Sequence, residues 1–225
     1  MKKLKIAFDG PAASGKSAVS KETAKRLSYL YIDTGAMYRA VTWLSIRQNV
    51  HIDDENLITK LAEDYPVDLL PADNRQGYKV FINNIDITEE ITSPEVNKYV
   101  SSVARISSVR KILVKRQKEL AKDGGVVMAG RDITTVVLPD AELKIYLDAN
   151  IEERTRRRVL ELKSQGKTAD EKEIAENLKM RDSIDSGRED SPLMIAKDAI
   201  VLDTSGISIE QVVDKIIEMV KKYDY

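Results

Sequence analysis

Five short apolar runs punctuate the chain: "LKIAF" at 4–8, "YLYI" at 29–32, "VVMA" at 126–129, "LKIYL" at 143–147 and "AIVL" at 199–202. Each has the length of a strand, and most are separated by stretches with apolar residues at helical spacing. This alternation predicts an α/β fold in which a five-stranded parallel sheet carries helices on both faces. Ligands of such sheets bind beyond the carboxyl ends of the strands. The polar residues at those ends are therefore the first to inspect: Asp9 and Gly10, Asp33 and Thr34, Gly130 and Arg131, and Asp148.

Two excursions break the alternation. In the first, "VDLL" (67–70), "YKVFI" (78–82) and "IDIT" (85–88) read as a small antiparallel insertion, with Asn83 and Asn84 supplying the positive φ of a tight hairpin turn. Ser93 then caps a helix that Pro94 opens and Val96, Val100 and Val103 stripe, and a further helix striped by Val109, Ile112, Leu113 and Leu120 stops at Gly124 and Gly125. Ser101 falls just off the first stripe and reads, on pattern alone, as a solvated helix serine. In the second excursion, 150–189, two helical stretches flank the polar turn "SQGKTAD", a hairpin whose first half is strongly basic. The last helix begins at Ser208 with Gln211 three residues on, a capping box, and stripes Val212, Val213, Ile216 and Val220 toward the core.

Composition narrows the chemistry. The 225 residues carry 36 Lys and Arg against 37 Asp and Glu, so no global basic field points to nucleic acid or an anionic membrane surface. With no cysteine and a single histidine, His51, disulfides and zinc sites of thiolate or histidine type are excluded. The apolar stretch in "MKKLKIAFDG" is too short for a signal peptide, and no run approaches the roughly 20 residues of a membrane span. The expectation is a cytoplasmic protein, monomeric by default because no exposed apolar stripe asks for a partner.

The chemistry enters with "GPAASGKS", residues 10–17, which matches G-x-x-x-x-G-K-[ST] between a strand and a helix carrying Val19, Thr23 and Leu27 at successive turns. In such a loop the backbone N–H groups wrap phosphates, the lysine reaches the β and γ oxygens, and the serine hydroxyl holds Mg²⁺. Gly10, Pro11, Ala12, Ala13, Ser14, Gly15, Lys16, Ser17 and Ala18 thus form the expected ATP site, with Lys16 a phosphate ligand and Ser17 the metal ligand. A GTPase switch is disfavoured, since the one Asn-Lys pair, Asn97 and Lys98, is followed by Tyr99 and Val100 rather than x-Asp.

A P-loop alone leaves the reaction open. Arg39, Arg110, Arg131, Arg157, Arg158, Arg181 and Arg188 lie away from it, and guanidinium groups bind phosphate in a bidentate manner. Transfer between two anionic nucleotides needs such fixed cations. The scarcity of histidine fits an acceptor that is itself a phosphate, because a phosphate monoester has a second pKa of about 6 and needs no general base.

The combination of "GPAASGKS", "DTGAMYR" (33–39), "GRDI" (130–133), "LPDAELKIYLDA" (138–149) and "RDSIDSGR" (181–188), in this order over nearly the whole chain, resembles the bacterial cytidylate kinases. The resemblance implies a single P-loop kinase domain: a core of 1–34, 105–149 and 190–225, a monophosphate-binding region with its insertion at 35–104, and a helical lid at 150–189. It implies transfer of the γ-phosphoryl of Mg²⁺·ATP to CMP, and dCMP, in pyrimidine nucleotide metabolism. Thr34, Arg39 and Arg131 fall where the family holds the CMP phosphate, and Ser101, Arg110 and Asp132 where it reads cytosine, which replaces the solvated reading of Ser101. Arg181 and Asp185 fall on sugar contacts. Lys16 and Arg131, with Arg157, Arg158 and Arg188 of the lid, become the catalytic set around the migrating phosphoryl group, and the insertion should close over the base.

Two positions depart from the family pattern. Ala129 replaces an acidic residue that could help hold Mg²⁺ through water, with Asp9, Asp33 or Asp132 as possible substitutes, and Thr134 replaces a glycine. The alternatives are a kinase for UMP or dTMP on the same fold, or a nucleotide-binding module without transfer activity.

Overall fold

A computed structural model describes residues 3–72, 77–164, 166 and 168–223. Its strands are β1 (Lys5–Asp9), β2 (Leu30–Asp33), β3 (Val67–Pro71), β4 (Tyr78–Ile82), β5 (Ile85–Asp86), β6 (Val126–Ala129), β7 (Leu143–Asp148) and β8 (Ile200–Asp203). Its helices are α1 (Lys16–Leu27), α2 (Thr34–Arg47), α3 (Glu55–Asp64), α4 (Pro94–Ala104), α5 (Ser107–Leu120), α6 (Ile151–Ser164), α7 (Glu171–Ser186) and α8 (Ile209–Lys221). The five apolar runs become the five strands of a parallel sheet, each within one residue of its expected bounds, in the order β2-β6-β1-β7-β8.

That order puts β1 in the middle, with the chain crossing to β6 on one side and β7 on the other. The carboxyl end of β1 is thus a topological switch point, where an open crevice forms above the sheet. Register aligns the ends: Phe8 and Asp33 both pair with Ala129, and Asp9 pairs with Tyr146. The rims of four strands therefore meet at one level.

Alternating strand residues feed two cores. Ala7, Val126 and Met128 face the side covered by α2, α4 and α5, where Met37, Val41, Val103 and Leu113 pack. Ile6, Phe8, Val127, Leu143, Ile145 and Leu147 face α1 and α8, meeting Val19, Val213 and Ile216. The α8 capping box forms as its sequence predicts, and Ser93 caps α4 by accepting the N–H of Val96. Between β4 and β5, Asn83 and Asn84 take φ of 49° and 62°, the left-handed pair that a tight hairpin requires. The three-stranded insertion (β3-β4-β5) rests on the α2 side through Val67, Leu69, Val80 and Ile82.

The charged excursion folds as the α6–α7 hairpin; Gln165 and Lys167 of its turn lie outside the described residues. The expectation of no exposed apolar stripe needs correction. β8 is an edge strand, and Ile200 and Val201, successive residues that point to opposite faces, are both exposed, as are Met194 and Ile195 in the segment before it. No helix among the described residues is long and apolar enough to cross a membrane.

Candidate active site

The loop 10–17 leaves the end of β1 and turns into α1, whose first-turn N–H groups aim at the space it encloses. Gly10 is obligatory there: its φ is +144°, and an added Cβ would fall 2.0 Å from the carbonyl oxygen of Leu147. Lys16 is buried, its Nζ donating to Pro11 O at 2.6 Å and to Ser14 Oγ at 3.3 Å. Burial holds its pKa well below the usual lysine value, Arg131 adds to that, and Asp9, Asp185 and Asp33 oppose. An anionic phosphate beside it would supply the compensating charge. Ser17 is exposed at the mouth and borders a cavity of about 540 Å³ together with Lys21, Tyr31, Asp33, Arg39 and Tyr78.

The acceptor side is built from the ends of β2 and β6 and from α7. Thr34 donates to the carbonyl of Ala129 at 3.1 Å, tying the two strand ends together. Gly130 follows, where a Cβ would lie 2.5 Å from Thr34 Oγ1, so only glycine lets the strands approach this closely. Arg39, one turn into α2, donates through Nη2 to Asp33 Oδ2 at 3.1 Å. Arg131 donates through Nε to Asp185 Oδ2 at 2.7 Å, and Arg188 pairs with the other oxygen of Asp185. Burial raises the pKa of Asp185, but Arg131, Arg188 and Arg181 outweigh it and leave the carboxyl below its usual range. Arg181 has a buried Nε without a hydrogen-bond partner among the described residues. Burial and then Arg131 bring its pKa down to about 10, with Arg158 and Arg39 acting in the same direction and Asp185 against.

Deeper in, Arg110 and Asp132 form a buried ion pair. Arg110 also donates to Ala104 O at 3.0 Å and lies 5.5 Å from the centre of the Tyr38 ring. Ser101 is half-buried on α4, its hydroxyl without a hydrogen bond among the described residues, on a helix that approaches α7.

Residues far apart in sequence thus converge: Arg131 and Asp185 act on Lys16, Arg181 and Arg188 alike, Asp33 also acts on Lys16, and Arg39 and Arg158 also act on Arg181. Arg157 is held by the P-loop and by Thr204. Its Nη1 donates to Ser14 O at 3.1 Å and to Thr204 Oγ1 at 2.9 Å, and its Nη2 to Thr204 O at 2.6 Å, so it braces the P-loop from behind. The exposed side of Arg158 pairs with Glu161 at 2.6 Å.

Three contributors escaped the sequence reading. Thr204 is buried just past β8, its hydroxyl 3.0 Å from Ser14 O. The rule about carboxyl ends would have found it had it been applied to the fifth strand. Arg154 joins the hinge of the lid to the P-loop, donating to Ala149 O, Ala12 O and Asp182. The third is a single π-helical turn, Ile133–Val137, whose start is held by Asp9. That fully buried carboxylate accepts the N–H of Ile133 (2.9 Å), the N–H of Thr134 (2.8 Å) and the Thr134 hydroxyl (2.6 Å). Thr134 is not among the residues with positive φ, so its backbone does not require glycine.

The three carboxylates that could stand in for an acid at position 129 are all engaged: Asp9 by the π turn, Asp33 by Gly35 N, Arg39 and Tyr78, and Asp132 by Arg110. Among the described residues no group of three or more His, Asp or Glu is arranged to hold a metal. A lone exposed hydroxyl such as Ser17 still suits Mg²⁺, which keeps several waters and takes phosphate oxygens as ligands.

A family model described as cytidylate kinase matches residues 6–222. The cytidylate kinase of Geobacillus sp. (strain WCH70) is 51% identical over 219 residues, 97% of each chain. That of Bacillus subtilis (strain 168) is 48% identical over 221 residues, 98% of each. Among solved structures, an uncharacterized protein from Eubacterium ventriosum ATCC 27560 is similar with a TM-score of 0.54 at 13% identity, over 97% of this chain and 99% of that one, a likeness of fold alone. With a family match over nearly its whole length, on a P-loop core whose strand ends converge on one crevice, the chain belongs to the cytidylate kinase family.

Proposed function

We propose that the protein transfers the γ-phosphoryl group of ATP to the phosphate of CMP, giving CDP and ADP, and that it accepts dCMP as well. The observation that carries this reading is the group of guanidinium side chains that gathers around Arg131 and Asp185, the pair that acts on Lys16. Arg39, Arg131, Arg158, Arg181 and Arg188 share the carboxylates of Asp33, Asp185 and Glu161, and the buried Nε of Arg181 has no acceptor among the described residues. Cations held together at such a cost await anions, and two phosphates meeting in line are what a phosphoryl transfer presents.

In this reading Gly10 through Ala18 cradle the donor phosphates, and Lys16 moves its ammonium from Pro11 O to the transferred group. Ser17 would hold Mg²⁺, which when bound neutralises charge on the β and γ oxygens. Thr34, Arg39 and Arg131 orient the acceptor phosphate. Arg110, Asp132 and Ser101 read the base, since a cytosine offers an amine donor beside ring acceptors and so matches a carboxylate, a guanidinium and a hydroxyl. Arg181 and Asp185 hold the sugar.

Arg158 and Arg188 neutralise the group in flight, with no proton to remove because the acceptor oxygen is already ionised. Arg157 joins them only by leaving Ser14 and Thr204, so its contribution depends on movement of the lid. Closure of the lid and the insertion excludes water from the donor. The reading has a monomeric enzyme working in the cytoplasm.

ADP release with CMP, dCMP, UMP, dTMP, AMP and GMP as acceptors tests this. Turnover highest with CMP is expected. ATP binding without release stimulated by any acceptor, or a preference for UMP or dTMP, would overturn it.

A further inference from the structure

Asp33 closes β2 and caps α2, so its carboxylate is fixed to the core. Oδ1 accepts the Gly35 N–H at 2.9 Å. Oδ2 receives Arg39 Nη2 at 3.1 Å and, from the other side, the phenol oxygen of Tyr78 at 3.3 Å. Tyr78 sits at the start of β4, the central strand of the antiparallel insertion, a separate sheet from the one that carries Asp33. Its ring packs 5.7 Å from that of Tyr31, whose strand also ends at Asp33, and both rings line the cavity that Ser17 and Arg39 border. Burial, and after it Asp33, push the Tyr78 phenol well up, so the hydroxyl stays a donor at any working pH.

We infer that Tyr78 is a positioning residue: through its hydroxyl the docked insertion fixes Asp33, and Asp33 aims Arg39 at the acceptor phosphate. This rests on the CMP kinase reading above. An arginine side chain reaches its ligand productively only if its own rotamer is held by further hydrogen bonds. A carboxylate bonded by one mobile arginine turns with it. Bonded also by a backbone N–H and by a phenol from a second sheet, it has a set plane, and the Arg39 fork is set with it. Docking of the insertion and capture of the acceptor phosphate thereby become coupled steps, and coupling of binding events is reciprocal.

Tyr78→Phe removes the hydroxyl and keeps the ring against Tyr31. The expected result is a rise in KM for CMP of about 3- to 10-fold, the range of one hydrogen bond, with KM for ATP unchanged and a small fall in the unfolding midpoint. Asp33→Asn keeps an oxygen for Gly35, since Asn caps helices as Asp does, and removes the charge that Arg39 and Tyr78 share. In that background Tyr78→Phe should add nothing. An unchanged KM for CMP in the single variant, an equal rise for ATP, or a full Tyr78→Phe effect in the Asp33→Asn protein would each overturn the inference. Failure of the unmodified protein to phosphorylate CMP would instead overturn the reading of its function.

Discussion

Replacing Thr134 with Val exchanges a hydroxyl for a methyl of nearly the same shape, at a position 1% exposed to solvent. The lost contact is a 2.6 Å hydrogen bond to Oδ2 of Asp9, whose exposure is 0%. Water cannot replace it. Hydrogen bonds to charged groups are worth about 1.5–3 kcal/mol. Asp9 keeps its two backbone donors and no cavity opens, so the lower part of that range applies, about 2 kcal/mol, or a melting point lower by roughly 4–8 °C in a domain of this size.

The pH dependence has a definite sign. Burial raises the pKa of Asp9, and the Thr134 hydroxyl with the Thr134 and Ile133 N–H groups pulls it part of the way back. With the folded pKa above the unfolded one, ionising Asp9 costs stability as pH rises through the folded value, and the hydroxyl reduces that cost. The penalty of Thr134→Val is therefore full where Asp9 is ionised and shrinks as acid protonates it. Urea unfolding of both proteins across a pH series reads this directly. A difference below about 0.5 kcal/mol at alkaline pH, the scatter of neutral substitutions, refutes the reasoning, as does a penalty that grows toward acid. Thr134→Ser should restore most of the loss.

Lys16→Ala should lower kcat by at least about 10²-fold, the effect of one transition-state donor, with little change in the unfolding midpoint; near-normal turnover would sink the P-loop assignment. Asp185→Asn leaves the shape of the site intact but strips the charge that balances Arg131 and Arg188. It should raise KM for CMP more than KM for ATP, and equal effects on both would count against a place for Asp185 at the acceptor.

Short-range features were legible in the chain because their causes are short-range. A run of apolar residues closed by a polar one can form a covered parallel strand, and the Ser208–Gln211 box or the Asn83–Asn84 turn depends on neighbouring dihedrals alone. The loop at 10–17 is equally local in its spacing and in the φ of +144° at position 10, which favours glycine, whereas the Leu147 carbonyl that also bars a Cβ there is a meeting of two strands. The edge exposure of β8 was not legible. "AIVL" reads the same in the middle of a sheet and at its edge, and only strand order decides which it is.

The sequence by itself therefore determined the kind of fold, the donor cradle and an inventory of cations. What the tertiary structure decided was how those cations are shared out. Arg157 and Arg158 are neighbours on one helix, yet one braces Ser14, 143 positions earlier, while the other lies in reach of Arg181 at the acceptor. Asp9, a candidate stand-in for the acid missing at 129, is bound instead by a π turn 124 positions later. Tyr78, by pattern only a strand residue, meets Asp33 because two separate sheets pack together there. Charge and spacing along a chain cannot encode such meetings: which side chains face each other depends on strand order and on which groups burial forces to find partners.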